Sequence, residues 1–350
     1  MLKRIQESLS EKLPFAIYAK PNSVEVNGVF QKNIGLNYLE DFSQSGFVFA
    51  PFDDSQKSVF IPFDKSDFVQ EQWNEKPSFE ENKIIDFPYS DSDKFRFEEL
   101  IKKMVLEIEK GQISKIVASR KEDFFPYNLN VFELFQRMFY KYPTAFRYCF
   151  YAPEIGFWLG ATPEKLLSVS GNELQTMAYA GTQKFEGKTN VIWQEKEKQE
   201  QQFVTDFIVE NLKSESDNIE LSAPFTSQAG TLLHIRTDIK SHLKNGFSLE
   251  KIVKKLHPTP AVCGFPKDLA KKFILKNEGY NRRFYSGFLG ELNINNVTEL
   301  YVNLRCMEIE NQKVSFYIGC GITKDSHPEK EFFETVNKSV TMKSLFDYSS

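Results

Sequence analysis

A carboxylate, an amine and two pairs of glutamates are the residues of this 350-residue chain whose types and settings suit chemistry. Glu164 lies in the turn of LGATPEKLL, flanked by Trp158, Leu159, Leu166 and Leu167. Apolar surroundings desolvate a carboxylate and raise its pKa toward values useful to a general acid. The alternative is a surface turn glutamate. Lys115 sits in ISKIVASR, where strand alternation puts it on one face with Ile113 and Val117. It is either a buried amine or an edge residue snorkelling to water, and taken alone the strand reads as an edge. Glu200 stands three, four, seven and eight residues before Phe203, Val204, Phe207 and Ile208, on the helix side turned toward the core, with Glu197 one turn earlier. An inward carboxylate needs a cation, a donor or a proton. Glu331, Glu334 and Lys338 share a helical face at i, i+3 and i+7. That face reads as solvated, or as half of a magnesium site beside an anion clamp, since hard cations prefer oxygen ligands. The amides of Gly319-Cys-Gly321 could hold an anion, and His257, in a Pro-bounded loop, has the setting of a structural hydrogen-bonder.

The elements that must position these groups are legible in outline. Gly156 to Gln183 reads as strand, tight turn, strand, hairpin, strand, with Gly160 and Pro163 as turn residues and Gly171-Asn172 as the hairpin corner. Phe97, Leu100, Ile101, Met104, Val105 and Ile108 recur at helical spacing, and Gly111 stops that helix. A second helix covers Val131 to Tyr140, and Arg147 to Ala152 is a strand. A strand ends in LLHIRTDI, and a short helix starts at Ser248. The run Phe284 to Gly290 ends another strand, and Leu300–Ile309 with Val314–Ile318 makes a hairpin around Asn311-Gln312. The last helix opens on Ser326-His-Pro-Glu329, a capping-box pattern, with Phe332, Phe333, Val336 and Val340 as its apolar set. Residues 1–88 carry short aromatic runs that read as strands of a sheet, without motifs, and 73–93 reads as a long exposed connection.

Hydrophobic content of 41% without a linker or charge block favours a single domain over 1–350, in which 95–343 holds the motifs and 1–88 holds none. The net charge of −4 is spread evenly, with no basic stripe, which argues against nucleic acid or an anionic membrane as partner. Nothing is long enough to span a bilayer. Four cysteines without a CxxC, and an N-terminus without an apolar h-region, lead us to expect a reducing cytoplasm. The four histidines lack zinc spacing.

These signals fall in one collinear order. With SKIVASR, LGATPEKLL, YAGTQ, the KEKQEQQFV helix, LLHIRTDI, LHPTPAVCGFP, EGYNRRFYSGFLGEL, YVNLRCMEI, YIGCGIT and SHPEKEFFETVNKSV, the chain resembles the chorismate-utilising enzymes, and among them the isochorismate synthases. The resemblance implies an α+β fold of two orthogonally packed sheets faced by helices, with Mg²⁺ as cofactor. It implies Lys115 as the water-activating base and Glu164 as the general acid. Glu200 and Glu334 become metal ligands, with Glu197 and Glu331 holding metal-bound waters. Arg305, Lys338, Thr182, His257 and the amides of Gly181, Gly319 and Gly321 become substrate contacts. Gln201 and Thr162 depart from the usual histidine and serine. Relatives using ammonia carry glutamine at the position of Lys115, and others place a nucleophilic lysine at that of Ala180, so this pair selects water. The implied reaction is reversible conversion of chorismate to isochorismate, for menaquinone or catechol siderophores. Salicylate synthase is the alternative within the family, and a non-catalytic chorismate-binding subunit is the alternative outside it. No amidotransferase partner is implied, and a monomer is expected. A lysine of ordinary pKa ~10.4 is neutral in only about one molecule in 2,500 at pH 7, so the base role requires a lowered pKa.

Overall fold

Many strands of this chain are apolar on both faces, and two stacked sheets covered by helices bury both. The computed structural model describes residues 1–77, 89–126, 129–230 and 232–346. Its elements in order are α1 (Leu2–Ser10), β1 (Phe15–Ala19), β2 (Glu25–Gln31), β3 (Asn37–Tyr38), β4 (Gly46–Ala50), β5 (Val59–Pro62), β6 (Ser66–Gln72), α2 (Asp91–Glu109), β7 (Lys115–Phe124), α3 (Val131–Lys141), β8 (Phe146–Ala152), β9 (Gly156–Thr162), β10 (Lys165–Ser170), β11 (Glu173–Lys184), α4 (Glu195–Leu212), β12 (Ser216–Leu221), β13 (Phe225–Ala229), β14 (Leu232–Leu243), α5 (Leu249–Leu256), β15 (Gly264–Phe265), α6 (Lys267–Asn277), β16 (Phe288–Ile294), β17 (Val297–Val302), β18 (Cys306–Glu310), β19 (Lys313–Ile322) and α7 (Pro328–Lys343). Sheet one runs β15-β7-β19-β18-β9-β8-β1-β2-β6, and sheet two β12-β14-β11-β10-β17-β16-β4-β5-β3 with β13 also against β14. The class is α+β. The N-terminal strands do not form a sheet of their own: β1, β2 and β6 complete sheet one, and β3 to β5 complete sheet two.

β1 shows how the layers form. All five of its residues are buried. Phe15 and Ile17 join Leu134, Phe135 and Met138 of α3, whereas Ala16 and Tyr18 point the other way, into the cluster shared with Phe47 and Phe49 of sheet two. A strand covered on both faces loses its polar alternation. Leu167, Ala178 and Ile239 on the outer face of sheet two pack on Val204 and Ile208 of α4 and Ile252 of α5. At the end of β7 and β19, Ile116, Ala118 and Ile322 are covered by Met104 of α2, Ile274 of α6 and Phe332 of α7.

Several expected elements are redrawn. Gly160 lies inside β9, paired with Cys306, rather than in a turn. The run Phe284–Gly287 precedes β16 instead of ending a strand. Leu300–Ile309 is not one strand, because the chain leaves sheet two after Val302 and enters sheet one at Cys306. The hairpin around Asn311-Gln312 does form, with φ of 49° and 64° at the two corner residues. No capping box opens α7: His327 is the N-cap, and Pro328 takes the first helical position, where its missing N–H is no loss. Phe203, Phe333 and Val340 are exposed rather than core. Trp73, expected in an exposed connection, is buried with Phe135 and Phe139, and residues 78–88 of that connection lie outside the described residues.

Candidate active site

The chain crosses between the sheets at two adjacent places, and the crossings form the seam of a cavity. β9 of sheet one gives way to β10 of sheet two through Pro163-Glu164, and β17 of sheet two to β18 of sheet one through Asn303–Arg305. The crossings are tied together: Thr162 Oγ1 donates to the Val302 carbonyl at 2.6 Å, and Val302 N–H donates to that of Glu164 at 3.0 Å. Asn303 Oδ1 accepts from the Tyr148 hydroxyl at 2.6 Å. Glu164 and Arg305 therefore share one wall. Arg305 has φ of +49°, a region that side chains with a Cβ avoid at about 1–3 kcal/mol and that recurs at functional sites.

The cavity encloses about 1100 Å³ including its mouth. Its lining takes Glu164 and Arg305 from the seam, Tyr179, Gly181 and Thr182 from β11, Glu197 and Glu200 from α4, Gly319 and Gly321 from β19, and Glu334 and Lys338 from α7. Glu164 is 3% exposed. Burial pushes its pKa up to about 8, against the opposing pull of the Lys115 charge and a 3.4 Å hydrogen bond from Thr259 Oγ1. At neutral pH it is a protonated donor, as a general acid requires.

Lys115 is only 1% exposed, which corrects the edge reading. β7 is flanked by β19 along most of its length and by β15 at Lys115 itself, so the strand has no open edge there. The ammonium lies just behind the lining and donates to Glu200 Oε1 at 2.6 Å. Burial pushes the Glu200 pKa up, but the charge and hydrogen bond of Lys115, with Lys338 and Lys196 beyond, leave it below the ordinary value. A Cβ on Gly321 would stand 2.8 Å from Glu200 Oε1 and 2.9 Å from Lys115 Cε, so the absence of a side chain there makes room for the pair.

The Glu331, Glu334 and Lys338 face is turned inward, not solvated. Glu331 is 4% exposed, its pKa raised by burial and then by Glu334. Glu334 pairs with Lys338 at 2.6 Å, and Lys338 Nζ also donates to the Gly319 carbonyl at 3.1 Å. That bond shows that the N–H and C=O of Gly319, and by strand period those of Gly321, point away from β7. Among the described residues no three His, Cys, Asp or Glu side chains are grouped to hold a metal by themselves. The donors nonetheless suit magnesium, which binds one or two carboxylates and keeps waters and substrate oxygens. Glu197 and Glu200 of α4 and Glu334 of α7 bring hard oxygen donors to the same lining, and Glu331, one turn before Glu334, has its pKa raised by burial and then by the Glu334 charge.

His257 is not part of this lining, which corrects its reading as a substrate contact. Its Nε2 is 2.9 Å from the Ser286 carbonyl, its ring packs on Phe288, and burial lowers its pKa to about 4. The LHPTP motif singled it out, yet its role is to tie two loops. Gln201 is buried and donates to Thr205 and Thr237 hydroxyls, joining α4 to β14 beside Glu200. Tyr179, His234, Tyr285 and Lys196 line the cavity without having been singled out. Alternation could have found Tyr179, because Ala178 and Ala180 face α4 and the residue between them must face the cavity.

The chain is similar to known proteins in sequence and in fold. Isochorismate synthase EntC of Escherichia coli (strain K12) is 26% identical over 260 residues, 71% of this chain and 66% of that protein. Anthranilate synthase component 1 of Thermococcus kodakarensis is 27% identical over 291 residues, 79% of this chain and 66% of that protein. The chain thus matches just under two thirds of each relative's length. MenF, the menaquinone-specific isochorismate synthase from Escherichia coli, superposes with a TM-score of 0.80 at 21% identity, covering 95% of this chain and 88% of that one. The family model for chorismate binding enzymes matches residues 30–347, and the chain belongs to that family.

Proposed function

We propose that the protein is an isochorismate synthase, adding water at C2 of chorismate while the C4 hydroxyl leaves. The observation that carries this reading is a buried Glu164, its pKa raised by burial, and a buried Lys115 just behind the lining of one cavity that also holds Arg305 and Lys338. Departure of an allylic hydroxyl needs a proton at the leaving oxygen, and Glu164 holds one at neutral pH. Attack by water needs a group to take its proton, and Lys115 is the candidate base in its neutral form, which requires it first to shed a proton to Glu200 or to solvent. Arg305 and Lys338 suit the two carboxylates of chorismate, with the Gly319 and Gly321 edge beside them. Glu200 and Glu334 would hold Mg²⁺, with Glu197 and Glu331 in support. When bound, the ion would neutralise a substrate carboxylate and orient the ring. Ala180 leaves the wall without the amine that would favour a covalent adduct, and Lys115 stands where ammonia-using relatives carry glutamine.

The reading is tested by incubating purified protein with chorismate and Mg²⁺, without ammonia, and separating the products. Isochorismate is expected, and isochorismate supplied alone is expected to return toward chorismate. Expulsion of pyruvate requires the enolpyruvyl side chain to fold over the ring rather than a further residue, so pyruvate is measured in parallel. Stoichiometric salicylate and pyruvate at the rate of chorismate loss would replace this reading by salicylate synthase.

A further inference from the structure

Two buried polar atoms on the cavity wall have no hydrogen-bond partner among the described residues: the Tyr179 hydroxyl and His234 Nε2. Buried polar groups are nearly always paired, and an exception in a cavity wall points to a ligand. We propose that Tyr179 is a substrate contact, its hydroxyl donating to the carboxylate that Arg305 holds. The inference rests on the chorismate reading and adds a residue to it.

The placement follows from β11. Ala178 and Ala180 pack in the cluster that holds Val204 and Ile208 of α4, so Tyr179 between them is turned to the opposite face of β11, and it lines the cavity. Tyr179 is 6% exposed, and the Ser227 side chain stands near its hydroxyl, too poorly placed to satisfy it by hydrogen-bond geometry. Burial raises the phenol pKa to about 12, with Ser227 and then the Arg305 charge opposing, so the hydroxyl remains a donor at neutral pH. A buried donor near an arginine calls for an acceptor that also answers the positive charge, which is a carboxylate. His234 completes the pattern. Burial, then Arg305 and Lys338, lower its pKa to about 3, and its Nδ1 donates to the Gly181 carbonyl at 2.8 Å, which leaves Nε2 a bare acceptor. A ligand with both a carboxylate and a hydroxyl satisfies both atoms. The competing arrangement is internal: the two rings lie 4.7 Å apart at 39°, and the hydroxyl could turn to Nε2 directly or through a water.

The test compares wild type, Tyr179→Phe, Arg305→Lys and the double variant by calorimetric binding of chorismate with Mg²⁺, steady-state kinetics and ligand-free thermal melting. Tyr179→Phe should bind about 10- to 100-fold more weakly, the range for a hydrogen bond to a charged group. KM should rise by the same factor with kcat little changed, and the ligand-free melting temperature should equal or exceed that of wild type. The double variant should lose less affinity than the product of the two single losses, since both residues serve one carboxylate. A wild-type KM in Tyr179→Phe, a lowered melting temperature with unchanged affinity, or independent losses in the double variant would overturn the proposal. Wild type that binds chorismate while Tyr179→Phe binds equally well overturns only this contact; wild type that binds none overturns the functional reading with it.

Discussion

Glu164 should make the protein less stable as pH rises, and its replacement should remove that contribution while slowing catalysis. Its carboxyl moves from an ordinary 4.5 to about 8 on folding, with burial as the cause. At 1.36 kcal/mol per pH unit, ionising it in the folded state costs about 5 kcal/mol. Between these two pH values the folded protein holds a proton that the unfolded chain has lost. This contribution is therefore fully favourable below about pH 4.5, declines as pH rises, and is level again above about pH 8. Glu164→Gln keeps the shape and removes the titration. Melting curves of both proteins, followed by circular dichroism from pH 5 to pH 9, should diverge in favour of the variant by about 4 kcal/mol, on the order of 5 °C for a chain of this size. Turnover of the variant should fall by roughly 10²- to 10⁴-fold, the usual contribution of a positioned acid. In wild type, kcat/KM should decline as pH passes about 8. Parallel stability profiles, or a variant less stable than wild type at pH 8, would show that the carboxyl ionises freely and would refute the argument from burial.

Other outcomes follow from the same site. EDTA should abolish turnover and Mg²⁺ restore it, and Glu200→Gln and Glu334→Gln should raise the Mg²⁺ concentration needed for half-maximal rate while melting near wild type; full activity in metal-free buffer would contradict the assignment. Lys115→Gln should lose about 10²- to 10⁴-fold in turnover and still bind chorismate by calorimetry; near wild-type hydration would place the base elsewhere. Gly321→Ala would put a methyl 2.8 Å from Glu200 Oε1, so turnover should fall at least about tenfold through displacement of the Lys115–Glu200 pair, with circular dichroism unchanged; wild-type rates would show that the pair has room to move.

Local punctuation made some of the site legible, and long-range pairing hid the rest. Pro163 marked the turn that carries Glu164, and the apolar residues around it carried the argument for a raised pKa. Lys115 looked like an edge residue because a strand's position in its sheet depends on partners far along the chain, here β19 and β15. The inward polar face of α7 looked solvated because periodicity separates polar from apolar sides without telling a wet cavity from bulk water. The break between β17 and β18 left no mark, since Leu300 to Ile309 stays largely apolar while the chain changes sheets, and that break delivers Arg305. His257 drew attention through its motif, whereas His234, on the cavity wall, sits in an ordinary strand.

In the proposed reaction water, not a group carried on the substrate or enzyme, becomes the C2 hydroxyl while Glu164 releases the C4 hydroxyl. The direct measurement is turnover of chorismate with Mg²⁺ in heavy-oxygen water, with mass analysis of isochorismate at early conversion. Each molecule of isochorismate should carry one heavy oxygen, located at C2. Unlabelled isochorismate formed at the full rate would contradict the account, since the hydroxyl would then have moved without exchange with solvent.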